Sequence, residues 1–304
     1  MDLRQEQFKH IGINEEKSQA IIRPSMTYWQ DAWRRLKKNP VAMLSLLLIL
    51  VFSIMAFVGP LMTPYNYFEN DLINGDKGPS LKHWFGTDGL GRDLWERVWA
   101  GAKISLFIGV VTAVISGVIG TLIGGASGFF GGKLDMLIMR TIDVLIALPS
   151  LILTLLIMLY LGSGLVPIIM ALVITGWLGL ARLVRGQVLS LKEQEFVLAA
   201  RTLGASSSRL ILRHLIPNTL GVIIVSLTFA IPAAIFAEAF LSFIGLGIQA
   251  PQTSWGQLAN LGIAAMQSYP YQLIIPSIFI SLTMLSLQLL GDGLRDALDP
   301  RLRK

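Results

Sequence analysis

Two carboxylates, Asp143 and Glu238, stand inside long apolar stretches of this sequence. A carboxylate at membrane depth is costly, so it faces a cavity, a polar partner or another subunit. Asp143 has Arg140 three residues earlier, a spacing that brings the two side chains together on one helix face and predicts a structural ion pair. Glu238 has no such neighbour, so its role depends on the elements around it.

Catalytic and metal chemistry has little support in the remaining side chains. Cysteine is absent, which excludes a disulfide framework, a thiol nucleophile and a cysteine-bound metal. The three histidines are far apart and form no H-x-x-x-H pair, and they are His10, His83 and His214. No Ser–His–Asp order and no paired carboxylates indicate hydrolysis. We predict no catalytic residue and no metal site.

A phosphate-binding loop is also missing from the sequence. The motif G-x-x-x-x-G-K-[ST] cradles nucleotide phosphates with backbone N–H groups. Gly132-Lys133 is the nearest match, but Ser127 stands where the first glycine belongs and Leu134 where the hydroxyl belongs. The chain is therefore predicted not to bind ATP by this route and not to be an enzyme.

The composition is that of a membrane protein. Hydrophobic residues make up 53% of the 304-residue chain and charged residues only 14%, whereas soluble domains carry roughly 25% charge. A transmembrane helix needs about 20 apolar residues. We predict an all-α integral membrane protein with six spans, near residues 41–62, 104–127, 137–161, 165–183, 219–244 and 272–290.

The distribution of basic residues predicts the orientation. With six spans both termini share one side, and 20 of the 25 lysines and arginines fall on that side. Cytoplasmic loops carry the excess of positive charge, so both termini are predicted to be cytoplasmic. Residues 1–40 form a cytoplasmic segment whose first 30 residues are loosely ordered, residues 63–103 an extracytoplasmic loop and residues 292–304 a cytoplasmic tail. Because the positive charge lies along the inner membrane face, no nucleic-acid partner is expected.

The polar segment 190–217 lies between the fourth and fifth spans and is predicted to be cytoplasmic. Its first part predicts a short helix with one apolar face, at Phe196, Ala199, Ala200 and Leu203. Gly204 suits a helix C-cap, one of Ser206–Ser208 an N-cap of a second, basic helix, and Pro217 resets the chain before the next span. Spacing alone leaves two interpretations open: a docking surface, or a helical hairpin without a partner.

The order Ala199-Ala200, then Gly204, then Pro217 resembles the EAA loop of ABC-importer permeases, which the cytoplasmic ATPase holds. The resemblance implies a coupling set of Glu195, Ala199, Ala200, Gly204, Arg209 and Pro217. One position departs from the pattern: Leu198 stands where the family has a glutamate, and Glu195 lies one helical turn earlier. The residue that forms an ion pair with the ATPase is therefore open.

Further motifs are similar to the peptide-importer branch of that family, closest to its oligopeptide-permease C subunits. They lie at 84–93, 240–256 and 291–303, and the resemblance covers the chain from about Trp29 to the end. It implies the type I importer permease fold, with a core of five spans at 104–291 and a peripheral first helix. Within the motif at 84–93, Asp88, Arg92 and Asp93 form either an ion-pair network at the outer mouth or a tight structural turn.

The resemblance also implies the partners. They are a homologous permease subunit, two ATPases that use ATP and Mg²⁺, an extracytoplasmic peptide-binding lipoprotein and the lipid bilayer. No cofactor is expected on this chain itself. Glu238 then has two interpretations: it lines the translocation path and contacts the positive N-terminus of a peptide, or it makes a structural hydrogen bond to a neighbouring helix or to the sister subunit.

Both the transported substrate and the class of protein have alternatives. Relatives with these motifs import oligopeptides, dipeptides, glutathione or nickel complexes. A proton-coupled secondary transporter that uses Asp143 and Glu238, and a scaffold that transports nothing, are the competing classes. The glycines spaced by four at 120–132 are assigned to helix packing. Pro149 and Pro232 each loosen a helix within a span, either as hinges for alternating access or as packing kinks.

Overall fold

The computed structural model describes residues 27–299, which contain helices and no strand, so the all-α prediction is confirmed. The predicted loose order of residues 1–30 and the end of the 292–304 tail lie almost entirely outside the described residues. The helices are α1 (Tyr28–Lys38), α2 (Pro40–Val58), α3 (Leu94–Phe130), α4 (Gly132–Ala147), α5 (Ser150–Leu161), α6 (Leu165–Leu191), α7 (Glu195–Thr202), α8 (Ser207–Phe243), α9 (Trp255–Ala265) and α10 (Tyr271–Leu298).

Five helices within residues 27–299 are long and apolar enough to cross a membrane: α2, α3, α6, α8 and α10. Helices α4 and α5 pass the same test only together, and they meet at 90°. Leu148 between them has an extended backbone, as proline requires of the residue before it. Pro149 therefore divides the predicted third span at 137–161 into two helices; counted as one broken span, the pair gives six spans.

Two other boundaries differ from the prediction. Helix α3 begins at Leu94, ten residues before the predicted start of the second span at 104, because the Asp93 carboxylate accepts a hydrogen bond from the backbone N–H of Glu96 (3.0 Å) and caps the helix there. Helix α10 continues to Leu298, so most of the predicted tail 292–304 is the last part of a helix. The segment predicted as 1–40 ends in helix α1, which a Thr27–Gln30 capping box begins.

The central contact of the bundle is between α3 and α6, and glycines on α3 allow it. A Cβ at Gly120 would lie 2.9 Å from the carbonyl oxygen of Trp177, one at Gly124 would overlap that of Ala181, and one at Gly128 would lie 2.8 Å from that of Arg185. Small residues let two backbones approach this closely. The packing role predicted for the glycine series thus holds for three positions, while Gly132 begins α4 with a positive φ of 57°.

An aromatic cluster holds the N-terminal end of α3 in place. Phe52 of α2, Trp99 of α3, Trp255 of α9 and Phe279 of α10 contact one another, with ring centroids 5.0 to 6.5 Å apart. The indole N–H of the fully buried Trp255 donates to the carbonyl oxygen of Val98 at 2.9 Å. Four helices are therefore held in fixed positions at this end of the bundle.

Candidate functional site

The polar segment between α6 and α8 contains a short helix, α7, with a well-formed C-terminal cap. The backbone N–H of Gly204 donates to the carbonyl of Arg201, and that of Ala205 to the carbonyl of Ala200, both at 3.0 Å. This pair of bonds is the Schellman motif, which needs a left-handed residue at the first position past the helix. Gly204 supplies it with φ +83°. The C-cap predicted for Gly204 is confirmed.

The apolar face of α7 points away from the rest of the chain. Val197 is fully buried and anchors the helix on α6 and α8. By contrast Phe196 is 43% exposed, Leu203 is 87% exposed and Ala199 is exposed as well. The sequence predicted this face correctly, and the structure places it on the surface, where it lacks a partner among residues 27–299.

The second half of the segment runs into the next span without a break. The Ser206 hydroxyl accepts the backbone N–H of Arg209 at 3.4 Å and begins α8. A π-helical stretch at Leu210–Leu215 follows, and the helix then continues to Phe243. Pro217 lies in the first turn after this stretch, where a missing N–H does little harm. The predicted reset of the chain at Pro217 is therefore wrong.

Glu195, Arg209 and Leu198, the residues of the segment that could contact a charged partner or that depart from the family pattern, are all exposed. Glu195 begins α7 and Arg209 lies in the first turn of α8, and both are exposed. Neither side chain forms an ion pair within the described residues. Leu198, at the departure from the family pattern, is 42% exposed. Of the coupling set that the resemblance implies, five members are exposed and Ala200 is half-buried; the exposed ones are Glu195, Ala199, Gly204, Arg209 and Pro217.

Two ion pairs connect α4 to α6 beside this segment. Arg185 contacts both carboxylate oxygens of Asp135, at 2.5 and 2.6 Å. Asp143 pairs with Arg182 at 2.6 Å, and both of these side chains are about half exposed. The predicted Asp143–Arg140 pair is wrong, because Arg182 on the neighbouring helix reaches the carboxylate instead. The role of Asp143 is nevertheless that of an ion-pair partner.

Glu238 is fully buried on α8 and lies in a cluster of serines. Ser242 donates to one carboxylate oxygen at 2.7 Å and Ser105 of α3 to the other at 3.1 Å. Ser105 also accepts the backbone N–H of Trp255 at 3.2 Å, and Ser254 lies 3.4 Å from Ser242. Of its two interpretations the geometry supports the structural one, a hydrogen bond to a neighbouring helix, since no surface of this chain exposes the carboxylate.

A cavity of about 520 Å³ lies elsewhere, between α3, α5, α6 and α8. No charged side chain lines it, and Glu238 is not among its lining residues. Thr112 and Ser116 line it from α3, although their hydroxyl oxygens are buried, and Ala230, Ala233 and Ala237 form the opposite wall. The sequence analysis missed the two hydroxyls. Their spacing of four within an apolar span was the available signal, because it puts both on one helix face.

The loop before α3 is a compact network of charges. Asp88 pairs with Arg92 at 2.8 Å and also with the buried Arg97, while Asp93 contacts His83 at 2.8 Å. The predicted ion pair of Asp88 with Arg92 is present, but Asp93 belongs to a separate pair and to the cap of α3. Backbone hydrogen bonds from Gly91 to Asp88 and from Leu94 to Gly86 close the turn. The motif is thus both a turn and a network.

Apolar spans and an exposed helical segment between two of them define an integral membrane protein with a surface open to a partner. In agreement, residues 117–304 match the family of binding-protein-dependent transport system inner membrane components. The match covers more than half of the chain, which therefore belongs to that family. Residues 27–79 match the N-terminal transmembrane domain of oligopeptide transport permease C.

Curated relatives are similar over nearly the whole chain. The dipeptide transport system permease protein DppC of Bacillus subtilis is 51% identical, over 96% of this chain and 92% of its own length. The oligopeptide transport system permease protein OppC of the same organism is 48% identical, over 98% and 97%. The glutathione transport system permease protein GsiD of Escherichia coli is 43% identical, over 93% and 94%.

Proposed function

We propose that this chain is one of two permease subunits of an ATP-driven importer that moves oligopeptides across the cytoplasmic membrane. The observation that carries the proposal is helix α7, whose apolar face is exposed although a Schellman cap and the buried Val197 fix its position. A fixed, exposed apolar surface on a loop between two spans suits docking of another protein.

The proposed docking partner is an ATPase on the cytoplasmic side. The chain has no phosphate-binding loop, so ATP and Mg²⁺ are used by partner subunits and this chain is not itself an enzyme. The excess of lysine and arginine on the side of α7 supports a cytoplasmic position for it and for both termini. The coupling set is Glu195, Ala199, Ala200, Gly204, Arg209 and Pro217.

The complex would hold a homologous permease, two ATPases and an extracytoplasmic binding lipoprotein. Closure of the ATPases would push on α7, and α8 would carry the motion into the membrane because it is one helix from Ser207 to Phe243. Rocking of the two permeases would then open the path inward, as in other alternating-access transporters. No role for nucleic acid is proposed.

Oligopeptides are the proposed substrate class. The relatives named for oligopeptide and dipeptide transport differ by only three percentage points in identity, and one named for glutathione transport is also similar. The match of residues 27–79 to the oligopeptide permease C domain supports the first of these. Dipeptides and glutathione, which contain the same amide bonds, are the alternative substrates.

Uptake by the reconstituted complex tests the proposal. Gly204→Leu should abolish ATP-dependent uptake of a tetrapeptide while the chain still inserts into the membrane, because a side chain at φ +83° strains the cap that fixes α7. Gly186→Ala is the matched control: a Cβ there meets nothing within 4 Å, and its φ is not positive. This control should transport normally.

Two results would contradict the proposal. Normal transport by the Gly204→Leu variant would remove α7 from the coupling mechanism. Uptake that stops with a proton uncoupler but continues after ATP depletion would assign the chain to the secondary transporters. Binding of the solubilised ATPases, measured by co-purification, should be lost with Gly204→Leu and kept with Gly186→Ala.

A further inference from the structure

Helix α1 lies at the membrane surface, because a single residue separates it from a span. It ends at Lys38, and α2, which is long and apolar enough to cross a membrane, begins at Pro40. Asn39 between them has an extended backbone, and its side chain accepts the backbone N–H of Ala42 at 3.1 Å. This cap begins α2 as a separate helix. The two helices therefore join at the edge of the bilayer.

One face of α1 is fixed against the end of the bundle. Leu36 is buried in a cluster with Ala42 of α2 and Ala297 of α10. At the other end of the helix, the Tyr28 hydroxyl donates to the carbonyl oxygen of Leu298 at 3.0 Å. Both ends of α1 are thus held beside the C-terminal end of α10, and the helix has a defined position relative to the spans.

A second face of α1 is exposed and combines tryptophan with positive charge. Trp29 is 50% exposed and Trp33 is 46% exposed, and Lys37 is exposed as well. Residues four apart share one side of a helix, so these three side chains form a row along α1. The Lys37 Nζ lies 5.3 Å from the centre of the Trp33 ring. We call Trp29, Trp33 and Lys37 the tryptophan row.

The surroundings of the tryptophan row are basic and lead directly to apolar surface. Four of the eleven residues of α1 are basic and one is acidic, and Arg35 pairs with that acid, Asp31, at 2.8 Å. The first turns of α2 expose Val41 and Leu44. The helix thus presents cations and aromatic rings next to the apolar surface of a span.

An anionic membrane surface matches this arrangement. Tryptophan is enriched where headgroups meet acyl chains, because its ring is apolar and its N–H is polar. Basic amphipathic helices with tryptophan lie in the plane of the interface and are attracted to anionic lipids. A lipid phosphate gives the Lys37 ammonium a counter-charge in the same layer of the membrane that takes up the two rings.

We propose that α1 is a binding site for the headgroups of anionic phospholipids. The rings of Trp29 and Trp33 lie at the boundary between headgroups and acyl chains, and the Lys37 ammonium contacts a phosphate. Bound lipid would hold α1 at a fixed depth, together with the end of α10 to which Leu36 and Tyr28 attach it. The inference goes beyond the proposed function, because it involves neither α7 nor an imported substrate.

The depth of α1 is measured with spin labels on the full chain in nanodiscs that contain phosphatidylglycerol. The sequence has no cysteine, so Trp33→Cys and Lys38→Cys each place a single label on α1. The two positions are about 140° apart around a helix of 3.6 residues per turn. The label at 33 should collide mainly with oxygen, and the label at 38 mainly with a water-soluble nickel complex, although residue 38 is nearer to the span along the chain.

The affinity for lipid is measured by native mass spectrometry of the detergent-solubilised full chain. Dioleoylphosphatidylglycerol should bind at least fivefold more tightly than dioleoylphosphatidylcholine, which has the same acyl chains without the net charge. Lys37→Gln should weaken phosphatidylglycerol binding about fivefold, as expected for one basic residue at an anionic surface. Trp29→Ala/Trp33→Ala/Lys37→Gln should weaken it at least tenfold. These side chains are exposed, so the midpoint of thermal unfolding should not move.

Lys38→Gln is the matched control, because it removes the same charge from the next residue, outside the tryptophan row. It should change the Kd less than twofold. An equal effect of Lys37→Gln and Lys38→Gln would overturn the site, since general surface charge would then explain the binding. Equal affinity of the parent chain for the two lipids would overturn it as well.

The spin labels also separate a lipid from a protein as the occupant of the row. A label at 33 that meets the nickel complex as often as the label at 38 would overturn insertion into the interface. If that label were protected only in the complete complex and open to water in the chain alone, a protein partner would cover the row, and the lipid site would be wrong.

Discussion

Glu238 has three serine hydroxyls around it and no cation beside it among residues 27–299. The cluster joins α3 and α8 to the start of α9, because Ser105 bonds both the carboxylate and the backbone of Trp255. Glu238 therefore acts as the acceptor that holds this end of the bundle together.

Removal of this acceptor should destabilise the fold. Glu238→Ala leaves Ser105 and Ser242 without their shared partner in a site that water does not reach, at about 1–3 kcal/mol for each unsatisfied group. Glu238→Gln keeps one acceptor oxygen and should lose less. Thermal unfolding in detergent, followed by tryptophan fluorescence, measures both, because Trp255 lies next to the cluster. Glu193→Ala, at an exposed position, should change the midpoint little; an equal effect of Ala and Gln at 238 would contradict the assignment.

At the level of single residues, the sequence located the membrane carboxylates but not their partners. Ser105 is 133 positions away from Glu238, and Arg182 is 39 positions away from Asp143. Local spacing could only propose Arg140, which shares a helix with Asp143. The helix C-cap at Gly204, which depends only on local backbone geometry, was predicted correctly.

At the level of elements, the α3–α6 contact depends on the absence of side chains. Gly124→Ala should destabilise the protein by about 1–3 kcal/mol, the usual cost of overpacking, because the added Cβ would overlap the backbone of Ala181. Gly179→Ala on α6 is the matched control, since a Cβ there meets nothing within 4 Å. That change should be neutral or slightly stabilising, as alanine is the better helix former.

The same unfolding measurement compares the two alanine variants. If the midpoint of thermal unfolding were the same for Gly124→Ala and Gly179→Ala, α3 and α6 could move apart without loss of stability, and the packing role of Gly124 would be contradicted. Gly120 and Gly128 face backbone carbonyls of α6 in the same way, so their alanine variants should behave like Gly124→Ala.

Helix positions were predicted better than helix ends. The sequence placed the start of the second span at residue 104 because Glu96, Arg97 and Lys103 are charged. In the structure Glu96 bonds Thr63 at 2.5 Å and Arg97 contacts Asp88, so two of these charges lie in the helix with partners from the preceding loop.

The two prolines within the predicted spans, Pro149 and Pro232, have different effects on their helices. The chain bends at the first, whereas α8 continues through the second, where Ile231 and Ile235 pack against Gly109.

At the level of the whole molecule, features that extend along the chain could be predicted from the sequence. Contacts between segments that are far apart in the sequence could not. Apolar runs gave the number of spans, and the order of motifs gave the family. The cavity escaped prediction because four helices build it, with lining residues from position 112 to position 241. Its only trace in the sequence is a pair of hydroxyls one helical turn apart, which is a common pattern on any membrane helix.

Docking of α7 to an ATPase requires that α7 lie on the cytoplasmic side of the membrane. Cysteine substitutions of two lysines, one on each predicted side, test this orientation. Lys82 is exposed in the loop before α3, and Lys133 is exposed at the start of α4, close to the α7 end of the bundle. The six-span prediction puts 20 of the 25 basic residues on the side of α7, and positive charge stays in the cytoplasm. Lys82→Cys should therefore react with a membrane-impermeant maleimide in intact cells. Lys133→Cys should react only after permeabilisation, and the cysteine-free parent should not react. The reverse pattern would put α7 outside the cell, where no ATPase can reach it.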